Sequence, residues 1–304
     1  MPKKIILQIF MMAAAAAFLC HGAVAQNQGK AGAESKTAGT SDMTDRAKVL
    51  RAAADALGML RWSDIGAGAT RLPAIDVITT MEIFASGTIY DAGQPSTCEY
   101  HAALAYIPPA MRVEITRKGA GDAHTIQTVR ENYAWNESEI GAGLVPGKGT
   151  ATPAMPAAKA RLLRLWILPY GVVKAAIAAG DNTKVSMENG STLITFPLSG
   201  SLAGITVTAT LDAKNLITKV ETRPDNPAQA NLATETEYSD YADHGEVLTD
   251  IKSPGHIVYK QAGRPALDIQ VKMVNANDPY FVFPVPQNVK SATSSTSASG
   301  AGRN

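Results

Sequence analysis

Pro156-Ala-Ala-Lys-Ala-Arg161-Leu-Leu-Arg-Leu-Trp166-Ile-Leu-Pro169-Tyr-Gly171-Val-Val-Lys174-Ala-Ala-Ile-Ala-Ala179 is a hydrophobic helix with an interruption near its middle. Ala158, Leu162, Leu165 and Trp166 recur at helical spacing, and Val173, Ala176 and Ile177 resume it beyond Pro169 and Gly171. A proline in a helix interior costs about 3 kcal/mol, so a chain that keeps one there is turning. The turn either wraps the helix around a core, the simpler reading, or supplies a hinge for a lid. Arg161, Arg164 and Lys174 exclude a membrane span, so the apolar side has to pack on a sheet.

The flanking sequence supplies that sheet. From about residue 76 the period falls to two. Val113 and Ile115 alternate with Arg112, Glu114 and Thr116, and a second such stretch runs from Ile126 to Trp135. Downstream, Ile205, Val207, Ala209 and Leu211 face away from Thr206, Thr208 and Thr210, and Asp212-Ala-Lys-Asn215 turns the chain into Leu216–Thr222. Asn189-Gly190 marks another tight turn, and Leu267, Ile269, Val271 and Met273 form a further alternating run. Such short connections predict antiparallel pairing among about eight to ten strands. A helix from Asp45 to Leu60, with Ala47, Leu50, Ala54 and Leu57 on one face and Gly58 as its stop, precedes them. The expected fold is α+β and mainly β: one domain over 45–290, a curved antiparallel sheet forming a half-barrel, with helices covering its concave face.

The ends read differently. Lys3 and Lys4 lead an apolar run from Ile5 to Leu19, followed by the small residues Ala23-Val24-Ala25. This is the pattern of a signal peptide cleaved near Ala25, and the run is short of the ~20 residues a membrane span needs. A lipidated Cys20 is the lesser alternative, because Leu19 stands where a small residue is expected. The expected location is periplasmic or secreted. Removing residues 1–25 takes two lysines and no acid, so the formal charge passes from +1 to −1. A chain that near neutrality has no electrostatic footprint for nucleic acid. Cys98 is then the only cysteine and no intramolecular disulfide can form; its setting, a turn running into a strand, reads as a small core position. Residues 26–44 and the Ser/Thr-rich 291–304 have little to bury and read as disordered.

Catalytic patterns are missing. His101, His124, His244 and His256 have no short-range zinc spacing, and there is no Gly-X-Ser-X-Gly and no nucleotide-binding glycine pattern. Gly143–Thr150 has the composition of a phosphate cradle without its spacing and reads as a surface loop. Asp240, Asp243 and His244 are the best local candidates for a metal or a general base, but their surroundings read as a loop closing a hairpin. The expectation is therefore no catalytic residue, no metal and no cofactor. Tyr90, Tyr100, Tyr106, Tyr133, Trp135, Tyr238 and Tyr241 lie in or beside strands, as core or as pocket walls. The candidate ligand-binding set is Leu162, Leu165, Trp166 and Val173 of the interrupted helix, with Tyr90 and Trp135 from the sheet.

Four stretches taken together carry a resemblance: Gly87-Thr-Ile-Tyr90-Asp-Ala-Gly93-Gln94, Asn132-Tyr-Ala-Trp135-Asn136, Leu165-Trp-Ile-Leu-Pro169-Tyr-Gly171-Val-Val-Lys174, and Glu237-Tyr238-Ser-Asp240-Tyr241 through Lys260-Gln261-Ala-Gly263 to Asp268. Their order over residues 47–290 resembles the N-terminal domain of exported bacterial metallo-β-lactamase-fold hydrolases. That domain is in turn remotely similar to periplasmic lipoprotein carriers of the LolA-like type. The resemblance implies a curved sheet half-wrapping helices and a hydrophobic cavity. The zinc ligands of the hydrolases have no counterpart, since Pro286-Gln-Asn-Val289 runs into the Ser/Thr-rich end, and Lys252-Ser-Pro-Gly-His256 departs from the Phe-Pro such domains tend to carry. No catalytic residue transfers. Three functions stay open: an exported carrier or binding protein for an apolar or lipid-like ligand, an interaction module for a separate hydrolase without a cavity, and an uncharacterised hydrolase.

Overall fold

The computed structural model describes residues 38–63, 72–75, 78–119, 123–244 and 251–298; the leader read at 1–25 lies outside them. In chain order the elements are α1 (Ala38–Ala56), β1 (Leu60–Ser63), β2 (Leu72–Ile75), β3 (Thr80–Asp91), β4 (Gln94–Tyr106), β5 (Pro109–Arg117), β6 (His124–Arg130), β7 (Tyr133–Glu137) and β8 (Ala151–Pro153). There follow α2 (Ala158–Trp166), α3 (Pro169–Ala178), β9 (Lys184–Glu188), β10 (Ser191–Pro197), β11 (Ile205–Leu211), β12 (Ile217–Pro224), β13 (Thr234–Ser239), β14 (His256–Gln261), β15 (Arg264–Ala276) and α4 (Gln287–Ala298). Helix α1 starts ahead of the expected Asp45, and α4 carries the chain into the Ser/Thr-rich end.

Thirteen strands form one antiparallel sheet in the order β8-β7-β6-β5-β4-β3-β15-β14-β13-β12-β11-β10-β9, while β1 and β2 pair separately. The order reads as two meanders. From β3 at the centre the chain steps outward to β8; α2 and α3 then take it to the opposite edge, β9, and it steps back until β15 pairs with β3. The sheet is curved and unclosed, and one connection between its two free edges is made by the interrupted helix. Tight turns enforce the pairing: Ala92-Gly93 and Asn189-Gly190 both have positive φ at each residue, the geometry that joins strands two residues apart.

The concave face is the core. Met81, Ile83, Ala102, Leu104, Val113, Ile115 and Val129 from one half and Ile194, Phe196, Val207, Ala209, Ile257 and Ile269 from the other are all buried with Leu162, Leu163, Leu165, Val172 and Val173 of the two helices. Helix α1 adds Leu50, Ala53, Ala54 and Leu57 to the same cluster. Among the described residues fifteen strands stand where eight to ten were expected. Part of the reason is that Ala102–Tyr106 is buried on both faces and so loses the alternation that marks a half-buried strand. Phe283 covers Ala103, Ala105 and Ala110 from the convex side.

Pro169 does not lie in a helix interior. Leu168, extended at φ −60° and ψ 147°, caps α3, and Pro169 occupies its first turn, where a missing N–H costs nothing. Gly171 has the stricter role: a Cβ there would stand 2.5 Å from the Leu165 carbonyl oxygen and 2.9 Å from the Trp166 Cα. The two helices therefore meet in a corner that only glycine fits.

Candidate functional site

Helix α2 is buried on nearly every side, and Arg161, which it carries inward, is matched. Arg161 donates to the carbonyls of Thr128 (3.1 Å) and Trp135 (2.7 Å) and to Asn136 Oδ1 (2.6 Å), so it ties the helix to β6 and β7. Burial, and then repulsion from Arg164, lower its pKa to about 10, which leaves it charged at neutral pH. At the other end of the helix, the Tyr238 phenol donates to the Ile167 carbonyl (2.7 Å) and the Tyr170 phenol to the Lys252 carbonyl (2.5 Å), fixing the corner onto the sheet and onto the loop before β14. Burial holds both phenols well above their ordinary range, so they act as neutral donors.

Between that corner and the centre of the sheet lies a cavity of about 70 Å³. Its floor is apolar and buried: Ile83, Ala102, Leu104, Met111, Ile115, Ile257 and Ile269. Arg164, Ile167 and Leu168 form its roof, Tyr238, Tyr259 and Thr236 one wall. The lining residues that keep some exposure, Ile89, Tyr100, Arg164, Leu168, Ala266 and Leu267, mark the mouth.

The residues proposed from sequence are distributed differently. Leu165 and Val173 are fully buried core. Leu162 and Trp166 line a separate depression of about 260 Å³, against Pro109, Asn132 and the loop 197–202. Tyr90 follows Ile89, which lines the cavity, so it faces the convex side. Trp135 is fully buried on that convex side with Ala151 and Val289. None of the six lines the cavity. Arg164 in the last turn of α2 and Ile167 and Leu168 of the link to α3 roof the cavity, and the charge on Arg164 hides that inward face in the sequence. Of the wider set of aromatics, Tyr100 and Tyr238 do line it.

The convex face has a polar cluster at its centre. His101 stacks on Phe84 with ring centroids 4.4 Å apart and sits between two carboxylates, Nε2 at 2.8 Å from Glu82 and Nδ1 at 3.0 Å from Glu114. Asn275 donates to the other oxygen of Glu82, and His124 stands 3.8 Å from Glu114. With both nitrogens facing carboxylates the arrangement favours the imidazolium form. The hydrogen bond to Glu114, ahead of that to Glu82, raises its pKa, and the same bond lowers that of Glu114. A raised histidine gives stability that is complete below its unfolded value of about 6.5 and lost as pH rises through the higher folded value. The lowered Glu114 gives stability that is complete above its unfolded value and lost as pH falls through the folded one. The melting-temperature gap between the native protein and His101→Gln should therefore be largest near pH 6 and shrink toward pH 9. A constant gap over that range would count against the ion-pair assignment.

Among the described residues no group of three or more His, Cys, Asp or Glu is arranged to hold a metal ion, and no helix is long and apolar enough to cross a membrane. Cys98 is a buried free thiol on β4 whose pKa is raised by burial and then by Glu99, the reverse of what a nucleophile needs.

No family model matches the chain, and no curated protein matches it, so neither supports the likeness to the hydrolase domain. Among solved structures, a DUF1329 family protein from Desulfovibrio piger is similar at 8% identity and a TM-score of 0.45, over 79% of this chain and 95% of that one.

Proposed function

We propose that the protein is an exported, non-catalytic binding protein or carrier for an apolar or lipid-like ligand, held in the cavity under the α2–α3 corner. The observation that carries this reading is the cavity itself: an apolar-floored void with an identifiable mouth between the α2–α3 corner and the centre of the sheet. Interiors pack at close to crystal density, and voids of this kind are few. At about 70 Å³ it is small, with an apolar floor that gives water few partners. It suits a short hydrocarbon segment. Drug-sized ligands occupy pockets of about 300 Å³ or more, so a longer chain enters by displacing Ile167 and Leu168, the corner's own roof. The exported location follows from the leader pattern at residues 1–25.

A fluorescent fatty-acid analogue should bind in the micromolar range, about −8 kcal/mol. Ala102→Leu, which fills the floor, should weaken it at least about tenfold without lowering the melting temperature, since it occupies existing space. Trp166→Ala, on the far side of α2, should change affinity little. Absence of binding to well-folded protein, or equal losses from the two substitutions, would move the assignment to an interaction module.

A further inference from the structure

Two polar groups in this cavity lack the partners their surroundings demand. Thr236 is 2% exposed, and its hydroxyl has no hydrogen-bond partner. The Tyr238 phenol stands beside it, but its own proton goes to the Ile167 carbonyl, so it has none to give Thr236. Arg164 has no carboxylate within ion-pair distance among the described residues; its guanidinium instead lies 5.3 Å from the centroid of the Tyr259 ring. The two are neighbours around that ring, because Thr236 pairs directly with Tyr259 across β13 and β14, which places such side chains about 5 Å apart. A basic residue in the last turn of α2 complements the helix dipole. The dipole does not explain why the guanidinium roofs an apolar cavity, nor why an unpartnered hydroxyl shares the wall. Arg161, one turn earlier, pairs with carbonyl oxygens, so neither guanidinium of α2 has a carboxylate partner among the described residues.

We infer that the cavity selects a single-chain amphiphile with an anionic head, a fatty-acid carboxylate, whose oxygens accept from Arg164 and the Thr236 hydroxyl while its first methylenes lie over Leu104, Ile115 and Ile257. This rests on the reading of the cavity as a ligand site. The carboxylate supplies what the wall lacks: an acceptor for Thr236 and a counter-charge for the guanidinium, in a setting shielded enough for charge-assisted bonds to hold. A cationic head would meet repulsion at the same place.

Octanoate, octanol and octylammonium, compared by displacement of the fluorescent fatty-acid analogue from the full chain, separate the two claims. Octanoate should displace at about tenfold lower concentration than octanol, with octylammonium the weakest. In Arg164→Gln the octanoate advantage should fall to near unity with octanol unchanged, while Arg164→Lys should keep part of it. Thr236→Val should reduce octanoate affinity several-fold and leave octanol alone. Equal affinity of octanoate and octanol for the native protein, or an advantage that survives in well-folded Arg164→Gln, overturns the anionic preference and leaves the apolar site standing. If neither the analogue nor any of the three binds, the site itself fails.

Discussion

Replacing Glu137 by alanine should lower the unfolding free energy by about 3–5 kcal/mol, the range expected when one partner of a buried charge pair is removed. The carboxylate is almost wholly buried on the convex side of β7. Its Oε1 accepts from the Thr128 hydroxyl (2.9 Å) and the Trp135 indole (2.8 Å), with Arg112 at 3.5 Å, and its Oε2 accepts from the Gly141 backbone (2.7 Å). Truncation leaves four donors facing an apolar methyl under the C-terminal segment, where Phe283, Val285 and Val289 keep water out. Arg112 would retain only its place over the Phe283 ring, 5.5 Å from the centroid.

Urea denaturation followed by tryptophan fluorescence suits the test, because Trp135 is fully buried in this cluster. Glu137→Gln keeps an acceptor for the indole and removes the charge facing Arg112, so it should fall between native and alanine. Glu139→Ala, exposed two residues on, should cost no more than about 0.5 kcal/mol. A loss under about 1 kcal/mol for Glu137→Ala would show that the convex side is wet and the C-terminal segment is not a lid over it.

That convex cluster explains where sequence reading stopped. Alternation in Val113–Thr116 and Ile205–Leu211 and the turn at Asn189-Gly190 gave correct strands, and the interrupted helix gave the covering layer, because each signal is local. What Phe283 and Val289 cover is decided by segments more than a hundred residues apart, and no local pattern says which face of β7, the strand of Trp135, is sealed. The predicted set and the lining of the cavity under the corner differ for a related reason. Leu162 and Trp166 form the obvious apolar stripe of α2, but a helix buried on most sides has no single inward stripe. Arg164, charged and hence read as outward, faces the concave sheet because Tyr259 offers its ring there. Thr236 could not have been singled out at all: it is one of several threonines on an alternating strand, and only the tertiary arrangement leaves its hydroxyl without a partner.

The corner of the interrupted helix yields the second large effect, with an asymmetry opposite to what the sequence suggests. Read locally, Pro169 is the costly residue and Gly171 an accessory. In the structure Pro169 lies in the first turn of α3, so Pro169→Ala should change stability by less than about 1 kcal/mol, mostly through the unfolded chain. Gly171→Ala should cost about 3 kcal/mol, at the upper end for overpacking, because the new Cβ meets the Leu165 carbonyl at 2.5 Å and Trp166 Cα at 2.9 Å, backbone atoms of a helix held by Arg161. Relief requires α2 and α3 to separate, which moves Ile167 and Leu168 from the cavity roof and strains the Tyr238 bond to Ile167. Binding of the fatty-acid analogue should therefore change in Gly171→Ala at temperatures where the protein is still folded, and stay native in Pro169→Ala. Urea midpoints with displacement curves on the two variants measure both. A stabilisation near 3 kcal/mol in Pro169→Ala, with added helical circular dichroism, would mean one strained helix instead of two helices meeting at a glycine corner.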